Sequence, residues 1–350
     1  MGTLMDCIQA IPERTQTLMD EIDVTYEALD KALKGNYSKI VIVGSGSSYN
    51  AGLFIKSFAE MKLEMSVELF LPNDFVYNTN HKLLSKDSLY VFISQSGMTK
   101  LVVEGAQIAL DHEFEIVGIT ENQDSILARM SNASLITLDK KEDYIFRTIG
   151  FTTTVILLNQ LVLWNYLRNS SDELGHITYL GQLNTTVKQF NNILSDSVKW
   201  FDEHKSTLME HDAFIFSAAL DYWPVAKEAD IKFMEMLPML TNSFELEELV
   251  HGPQNMFTSN HGFFILTDQG KDIEKAANVV DFIETEVNAK TYLINKNIFT
   301  CDIELNSFTT LLYLMFFQVQ SFKIADARGM SMKKGTYPKI SEYVARVVAK

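Results

Sequence analysis

A strand–turn–helix unit begins at Lys39-Ile40-Val41-Ile42-Val43 and turns at Gly44-Ser45-Gly46-Ser47-Ser48. The same pattern returns at Ser88-Leu89-Tyr90-Val91-Phe92-Ile93, which runs into Ser94-Gln95-Ser96-Gly97-Met98-Thr99. A helical pattern of residues follows both turns. Each loop therefore combines hydroxyl groups, glycines and backbone N–H groups at the positive end of a helix. This combination favours an anion, so the sequence predicts that the two loops bind the phosphate of a small molecule.

Two better-known phosphate motifs do not fit these loops. Gly44-x-Gly46-x-x-Tyr49 lacks the third glycine of the dinucleotide fingerprint, and the sequence lacks the Gly-Lys-Ser/Thr core of a nucleoside-triphosphate loop. The structural alternative is that both loops are ordinary turns, since glycine and serine are common in turns for backbone reasons. Two hydroxyl-rich loops on nearby units favour phosphate binding over that alternative.

Composition limits the classes of partner. The 350 residues are 47% hydrophobic, enough for two domains with their own cores, and the sequence lacks an apolar stretch long enough to span a membrane. The net charge of −15 argues against nucleic acid, because phosphate neutralisation needs a basic face. Cys7 and Cys301 have no partner pattern and the N-terminus lacks a basic start, which together predict a cytoplasmic protein.

Strands and helices alternate along the chain, which predicts an α/β fold with parallel sheets covered on both faces. The two halves resemble a degenerate repeat, because residues 39–60 and 213–235 both read strand, small-residue turn and helix. Strand-like runs stand at residues 39–43, 66–70, 88–93, 115–120, 134–138, 213–217, 262–267 and 291–294. We expect a helical segment at 1–34, domains at 35–195 and 196–325, and a C-terminal tail at 326–350.

The second half carries charged groups in place of a phosphate loop. Glu228, Lys232 and Glu235 stand four and three residues apart, so they share one helix face. A lysine between two carboxylates can tune their protonation for catalysis, whereas the alternative is a solvated face with surface ion pairs. His251 precedes Gly252-Pro253, which restricts the backbone, although a lone histidine can equally be structural. The seven histidines lack metal-ligand spacing, so we expect no metal.

The two hydroxyl loops, Glu235 and the run Glu248-Leu249-Val250-His251-Gly252-Pro253 together resemble the sugar isomerase (SIS) superfamily. Within it, the chain is similar to the isomerase half of glucosamine-6-phosphate synthase, to amino-sugar deaminases and to fructosamine-6-phosphate deglycases. The resemblance covers nearly the whole chain. It implies two tandem SIS domains, each a parallel sheet flanked by helices in a flavodoxin-like three-layer sandwich. It also implies a chain without the glutaminase half of the synthase and an activity without metal or organic cofactor.

The resemblance implies roles residue by residue. Glu235 corresponds to the base that moves a proton between C1 and C2 through an enediol or enolamine, and Lys232 to a lysine beside that base. His251 corresponds to the histidine that assists ring opening from the neighbouring subunit, which implies a homodimer. The phosphate of a hexose 6-phosphate would be held by Ser48, Ser94, Gln95, Ser96 and Thr99, with Ser45 and Ser47 lining the same pocket. Gly46 is a candidate substrate contact.

Three further positions are candidate substrate contacts. Lys339 falls close to the lysine that forms a Schiff base in the synthase, but within a different flanking sequence. Glu142 corresponds to a family glutamate. Arg147 stands where a small hydroxyl residue is usual, so it either binds a carboxylate of the substrate or pairs with Glu142 or Asp143.

The sequence favours an enzyme, an isomerase or deglycase that acts on an amino-sugar 6-phosphate or a fructosamine 6-phosphate by proton transfer. The alternatives are a glucosamine-6-phosphate deaminase and a non-catalytic sensor of sugar phosphates. A sensor needs neither Glu235 nor His251, and regulators of that kind usually carry a DNA-binding segment, which is not evident in this sequence. The group attached to the sugar and the direction of the reaction stay open.

Overall fold

Two parallel β-sheets organise the molecule, and their strands are the apolar runs of the sequence together with one polar strand. The computed structural model describes residues 3–139, 142, 144–268, 270–333 and 335–348. The strands are β1 (Lys39–Val43), β2 (Ser66–Phe70), β3 (Ser88–Ile93), β4 (Ile116–Thr120), β5 (Ala133–Ile136), β6 (Ala213–Ala218), β7 (Leu240–Glu245), β8 (His261–Leu266) and β9 (Lys290–Ile294). The helices are α1 (Leu4–Asp20), α2 (Ile22–Ala32), α3 (Ser47–Lys62), α4 (Lys100–Asp111), α5 (Ile126–Met130), α6 (Ile149–Asn169), α7 (Glu173–Lys188), α8 (Phe190–Leu208), α9 (Trp223–Met236), α10 (Ile273–Phe282), α11 (Thr310–Ala327) and α12 (Ile340–Tyr343).

The first sheet has the strand order β2-β1-β3-β4-β5, and every pair is parallel. This is the 2-1-3-4-5 order of flavodoxin-like folds, in which ligands bind at the carboxyl ends of β1 and β3, where the order reverses. Lys39 of β1 is in register with Ser88 of β3, so the hydroxyl loops after these strands begin side by side. All residues of β3 are buried, as an inner strand covered on both faces requires.

The second sheet repeats this arrangement with one strand fewer. Its order is β7-β6-β8-β9, again entirely parallel, which matches 2-1-3-4 when counted from β6. The expected α/β class, with two parallel sheets flanked by helices, is confirmed. The sequence did not indicate β7, because its residues are mostly polar and only Ser243 is buried.

Both sheets share one apolar core. The largest cluster of buried side chains runs from Val91 of the first sheet through α6 and α11 to Phe264 of the second. Both helices are buried on nearly all sides, which is why their sequences are apolar all round. The sequence predicted a separate core for each half; instead each sheet has only a smaller cluster of its own. Among the described residues, no helix is long and apolar enough to cross a membrane.

Candidate active site

Two glycines shape the loop that follows β1. Gly46 has a φ of +57°, a left-handed conformation that other residues adopt only at a cost. A Cβ on Gly44 would lie 2.9 Å from the Cβ of Ser48, so the turn closes only around glycine. Ser47 then begins α3, and the described chain supplies no side-chain cap there. The positive end of α3 is therefore available to an anion.

The loop that follows β3 is closed on itself. The Ser94 and Thr99 hydroxyl oxygens lie 2.8 Å apart and share a hydrogen bond. Gly97 has a φ of +62°, and a Cβ there would stand 2.9 Å from Thr120 Oγ1. These contacts fix the loop shape, and the Gln95 side chain, which takes no part in them, donates a hydrogen bond to Asp139.

The C-terminal tail pairs with the end of this second loop. The N–H of Lys100, the first residue of α4, donates to the carbonyl of Arg346 at 3.0 Å, and the N–H of Val348 donates to the carbonyl of Met98 at 2.9 Å. The amino end of α4 is thus partly occupied by the tail. The amino end of α3 is therefore more open to a ligand than the amino end of α4.

A cavity of about 300 Å³ opens where the loops of the first half meet α9 of the second. Ser94, Ser96 and Thr99, three of the predicted phosphate ligands, are not among its lining residues: Ser96 is exposed, and the other two bond to each other. The described residues that line it are Ser45, Gly46, Ser47, Ser48, Ile93, Gln95, Ile145, Arg147, Gly150, Phe151, Thr154, Lys232 and Glu235. The structure therefore brings together most of the first loop, Gln95, and the two predicted catalytic groups of α9.

A larger cavity, of about 610 Å³, lies at the opposite end of the first sheet. Asn36, Tyr37 and Ser38, which precede β1, contribute to its lining. Ligands of parallel sheets bind at the carboxyl ends of the strands, where side chains from several loops converge. We therefore take the smaller cavity as the candidate active site.

Glu228 and Lys232 on the charged face of α9 are buried, so the predicted alternative of a solvated surface face is wrong. Lys232 Nζ lies 2.8 Å from Glu235 Oε2 and 3.6 Å from Glu228 Oε1. The side chains of Lys232 and Glu228 are almost fully buried, whereas that of Glu235 is 35% exposed. Glu235 is thus the carboxylate of this cluster that a ligand in the cavity can reach.

Opposing charges keep the lysine protonated. Burial alone would lower the pKa of Lys232, but the neighbouring Glu235 and Glu228 outweigh it and raise that pKa. Burial raises the pKa of Glu228 to about 7, against the lowering effects of Lys232 and of the hydrogen bond from Asn50. Glu228 was singled out in the sequence only by its spacing, and its bonds to the loop after β1 make it part of the site.

His251 lies away from the cavity of its own chain. It follows β7 in a loop where Gly252 has a φ of +130°, and its side chain is 60% exposed. Its Nδ1 is bonded to the carbonyl of Glu247 at 2.8 Å. The described lining of the cavity does not include His251, so within one chain it is not brought together with Glu235.

Glu142 is the N-terminal anchor of α6. It is buried, and its Oε1 accepts hydrogen bonds from the Thr148 backbone N–H at 2.6 Å and from the Thr148 hydroxyl at 2.7 Å. Its Oε2 accepts from the N–H of Gly150 at 3.2 Å. Both oxygens are thus used to satisfy the helix end, and Glu142 does not line the described cavity.

Arg147 reaches the cavity, whereas Lys339 does not. The guanidinium of Arg147 donates to the carbonyl of Glu142 and lies 3.7 Å from Glu121 Oε2, a partner that the sequence did not indicate. The expected alternative partner Asp143 lies outside the described residues. Lys339 is exposed at the start of α12 and is not among the described lining residues. Within the described part of the chain, no cluster of three or more metal-ligating side chains occurs.

Comparison with known proteins identifies the class to which the first sheet belongs. Residues 36–164 match the family model of the SIS domain, so the chain contains a SIS domain. More particularly, it is homologous to the isomerase half of glutamine–fructose-6-phosphate aminotransferase. It is 23% identical to that enzyme of Thermotoga maritima over 88% of this chain and 52% of the relative. The chain spans about half the length of the first curated relatives that it matches.

Solved structures share the whole fold. A candidate phosphosugar isomerase of Clostridium difficile 630 has a TM-score of 0.86 at 19% identity, with 97% of both chains covered. The C-terminal domain of glucosamine-fructose-6-phosphate aminotransferase from Francisella tularensis has a TM-score of 0.82 at 21% identity, covering 94% of this chain and 96% of that one. The family model covers only the first sheet, so a second SIS domain is a proposal, supported by the repeated strand order.

Proposed function

We propose that this chain is a phosphosugar isomerase or deglycase that acts on an amino-sugar 6-phosphate or a fructosamine 6-phosphate. One observation carries the proposal. The cavity has a partly exposed carboxylate, Glu235, beside the buried cation Lys232, and its other wall is a hydroxyl loop at the open end of α3. A proton-transferring group and an anion-binding loop thus face one cavity.

The loop after β1 would bind the phosphate. Ser45 and Ser48 offer hydroxyl donors, and the amino end of α3 adds a positive field. Ser47 lines the cavity, but its hydroxyl proton is donated to Glu228. Gln95 offers amide N–H donors from the second loop. Ser94 and Thr99 would act by closing that loop, and Ser96 would join only if the loop moved toward the ligand.

Glu235 would transfer the proton. In the open-chain form of a fructosamine 6-phosphate, it takes a proton from C1; the C–H electrons form the C1–C2 double bond of an enolamine while the π electrons of the C2 carbonyl move to its oxygen, which takes a proton from water. The proton on Glu235 then returns to C2, as the nitrogen lone pair forms the C1–N double bond and the N–H proton passes to water. The product is an imine at C1, which water hydrolyses to an aldose 6-phosphate and a free amine. In glucosamine 6-phosphate the same shuttle runs from C2 to C1, and hydrolysis then releases ammonia. Lys232, held charged, stabilises the carboxylate and the developing negative charge.

The histidine would come from a second copy of the chain. His251 is exposed, does not reach its own cavity, and stands in a loop that also exposes the apolar side chains of Val250 and Met256. Exposed apolar side chains around a polar functional group are typical of a contact surface. This placement supports a homodimer in which each His251 assists ring opening at the partner's cavity.

Arg147 favours a substrate that carries a carboxylate, and therefore the deglycase over the deaminase. Its guanidinium lines the cavity, and at 3.7 Å its contact with Glu121 is a loose ion pair rather than a bidentate one. Arginine binds carboxylates in a bidentate way. The amino-acid part of a fructosamine supplies such a group, whereas glucosamine 6-phosphate lacks it.

Product analysis on two substrates tests the proposal. The purified protein is incubated with glucosamine 6-phosphate and with a fructose-amino-acid 6-phosphate, and ammonia and free amino acid are measured. Amino acid from the second substrate supports the deglycase, and ammonia from the first supports the deaminase. Binding of both without product, and without exchange of the C1 or C2 proton with deuterated water, would establish a sensor instead.

A further inference from the structure

A buried acid that the proposed chemistry does not use lies behind Gln95, outside the described lining of the cavity. Asp139 follows β5 and is 1% exposed. Its Oδ1 accepts a hydrogen bond from the Thr137 hydroxyl at 2.6 Å, and its Oδ2 accepts from the side-chain amide of Gln95. An anion behind a phosphate site opposes phosphate binding by charge alone, so its presence calls for a structural reason.

The bond to Asp139 fixes the orientation of the Gln95 amide. A carboxylate only accepts hydrogen bonds, so Gln95 must present its NH₂ group, and not its carbonyl oxygen, toward Asp139. One N–H is then bound to Asp139, and the other remains for an anion in the cavity that Gln95 lines. An unrestrained amide could turn its carbonyl oxygen toward the phosphate, which would be repulsive.

Gly150 leaves room for this contact. A Cβ on Gly150 would collide with Asp139 Oδ2 and would lie 2.8 Å from Gln95 Nε2. Gly150 stands in the first turn of α6, and its own N–H is bonded to Glu142. The amide of Gln95 and the carboxylate of Asp139 are thus packed against backbone that cannot carry a side chain.

From this geometry we propose that Asp139 is a positioning residue for phosphate binding, which acts by holding the Gln95 amide with its N–H groups toward the ligand. The inference rests on the proposed function for the identity of the ligand. It adds to that function a residue that does not touch the substrate.

Calorimetric titration with inorganic phosphate and with fructose 6-phosphate tests this role. Asp139→Ala should weaken the binding of both by about tenfold or more, because a hydrogen bond to a charged group is lost. Asp139→Asn should stay within about threefold of the wild type, since its oxygen can still accept from Gln95 while its NH₂ donates to Thr137. Gly150→Ala should reproduce the loss while keeping both polar residues.

Two control variants separate positioning from general destabilisation. Asp196 is another buried acid, bonded to Thr300 in the second half, so Asp196→Ala should lower stability without weakening phosphate binding. A Cβ on Gly181 in α7 would have no neighbouring atom within 4 Å, so Gly181→Ala should change neither stability nor phosphate binding. If Asp139→Ala fails to fold, Gly150→Ala and Asp139→Asn still decide the question.

The outcomes distinguish the inference from the proposed function. In one outcome, Asp139→Ala and Gly150→Ala bind both probes within about twofold of the wild type, while Gln95→Ala binds them clearly more weakly. That result would overturn the role of Asp139 and leave the phosphate site intact. Failure of the wild type to bind either probe would overturn the proposed function and the inference together.

Discussion

Ser47 Oγ donates a hydrogen bond to Glu228 Oε1 at 2.8 Å, so the loop after β1 is bonded directly to the helix that carries Glu235. Asn50 Nδ2 donates to the other oxygen of the same carboxylate at 2.9 Å. Glu228 is fully buried between its partners. The proposed phosphate loop and the proposed catalytic base are therefore held in a fixed relation by one carboxylate.

Glu228→Gln should reduce the pH dependence of stability between about pH 4.5 and about pH 7. Burial raises the pKa of Glu228 to about 7 in the folded protein. A raised folded-state pKa gives a contribution to stability that is fully present below the ordinary pKa and is lost as the pH rises through the folded-state pKa. Thermal unfolding of the wild type and of Glu228→Gln, measured across this range, should therefore diverge.

The exposed Glu203 provides the control for that comparison, because Glu203→Gln should keep the wild-type slope. Parallel curves for the wild type and Glu228→Gln would mean that this carboxyl does not titrate in the range. Lys232 stays charged throughout, since its pKa is raised, and so does not contribute to the difference.

Glu235→Gln should leave the affinity for fructose 6-phosphate within about twofold while lowering turnover by roughly 10²–10⁴-fold, the usual contribution of a positioned acid–base group. The substitution keeps the size of the side chain and removes its ability to hold a proton. Steady-state kinetics and calorimetry on the same preparation measure both quantities. Unchanged turnover would exclude Glu235 as the base.

Mixing two inactive variants should restore activity if His251 serves the partner's cavity. In a dimer of Glu235→Gln with His251→Asn, one of the two cavities regains both groups. Random assortment then gives about a quarter of the wild-type activity, because half of the dimers are mixed. Recovery measured after co-refolding at equal concentrations checks this. Absence of recovery from a mixture that does form dimers would place both groups in one chain.

Arg147→Ser should lower kcat/KM for a fructose-amino-acid 6-phosphate by about tenfold or more and change that for glucosamine 6-phosphate much less. Arg147→Lys should recover only part of the loss, because lysine cannot bind a carboxylate in a bidentate way. Glu121→Gln, which removes the ion-pair partner, is the companion variant and should keep the preference. Equal losses on both substrates would assign Arg147 to local structure.

Much of the fold could be predicted from local sequence, because the buried strands are continuous apolar runs that end in glycine-rich turns. β3 is the clearest case, since every residue in it is buried. β7 escaped prediction because an edge strand with one buried residue has little apolar signal. The shared core was also hidden, since burial of α6 and α11 between two halves depends on contacts distant in sequence.

The candidate site was predictable where chemistry is concentrated in a short stretch, as in the loop of Ser45 to Ser48. Spacing placed Glu228 beside Lys232, but spacing alone does not distinguish a buried face from a solvated one. Asp139 carried no recognisable pattern, because the role proposed for it rests on a contact with Gln95, 44 residues earlier. Sequence resemblance did not reveal that both carboxylate oxygens of Glu142 accept hydrogen bonds at the amino end of α6.

The apolar core that runs without interruption from one sheet to the other has a consequence for unfolding. Neither half buries its own helices completely, so detaching one exposes the apolar faces of α6 and α11 that the other half covers. The two halves therefore belong to a single cooperative unit rather than two independent ones. The cavity between them therefore exists only while this unit is folded. A denaturant that unfolds one sheet removes the site in the same transition.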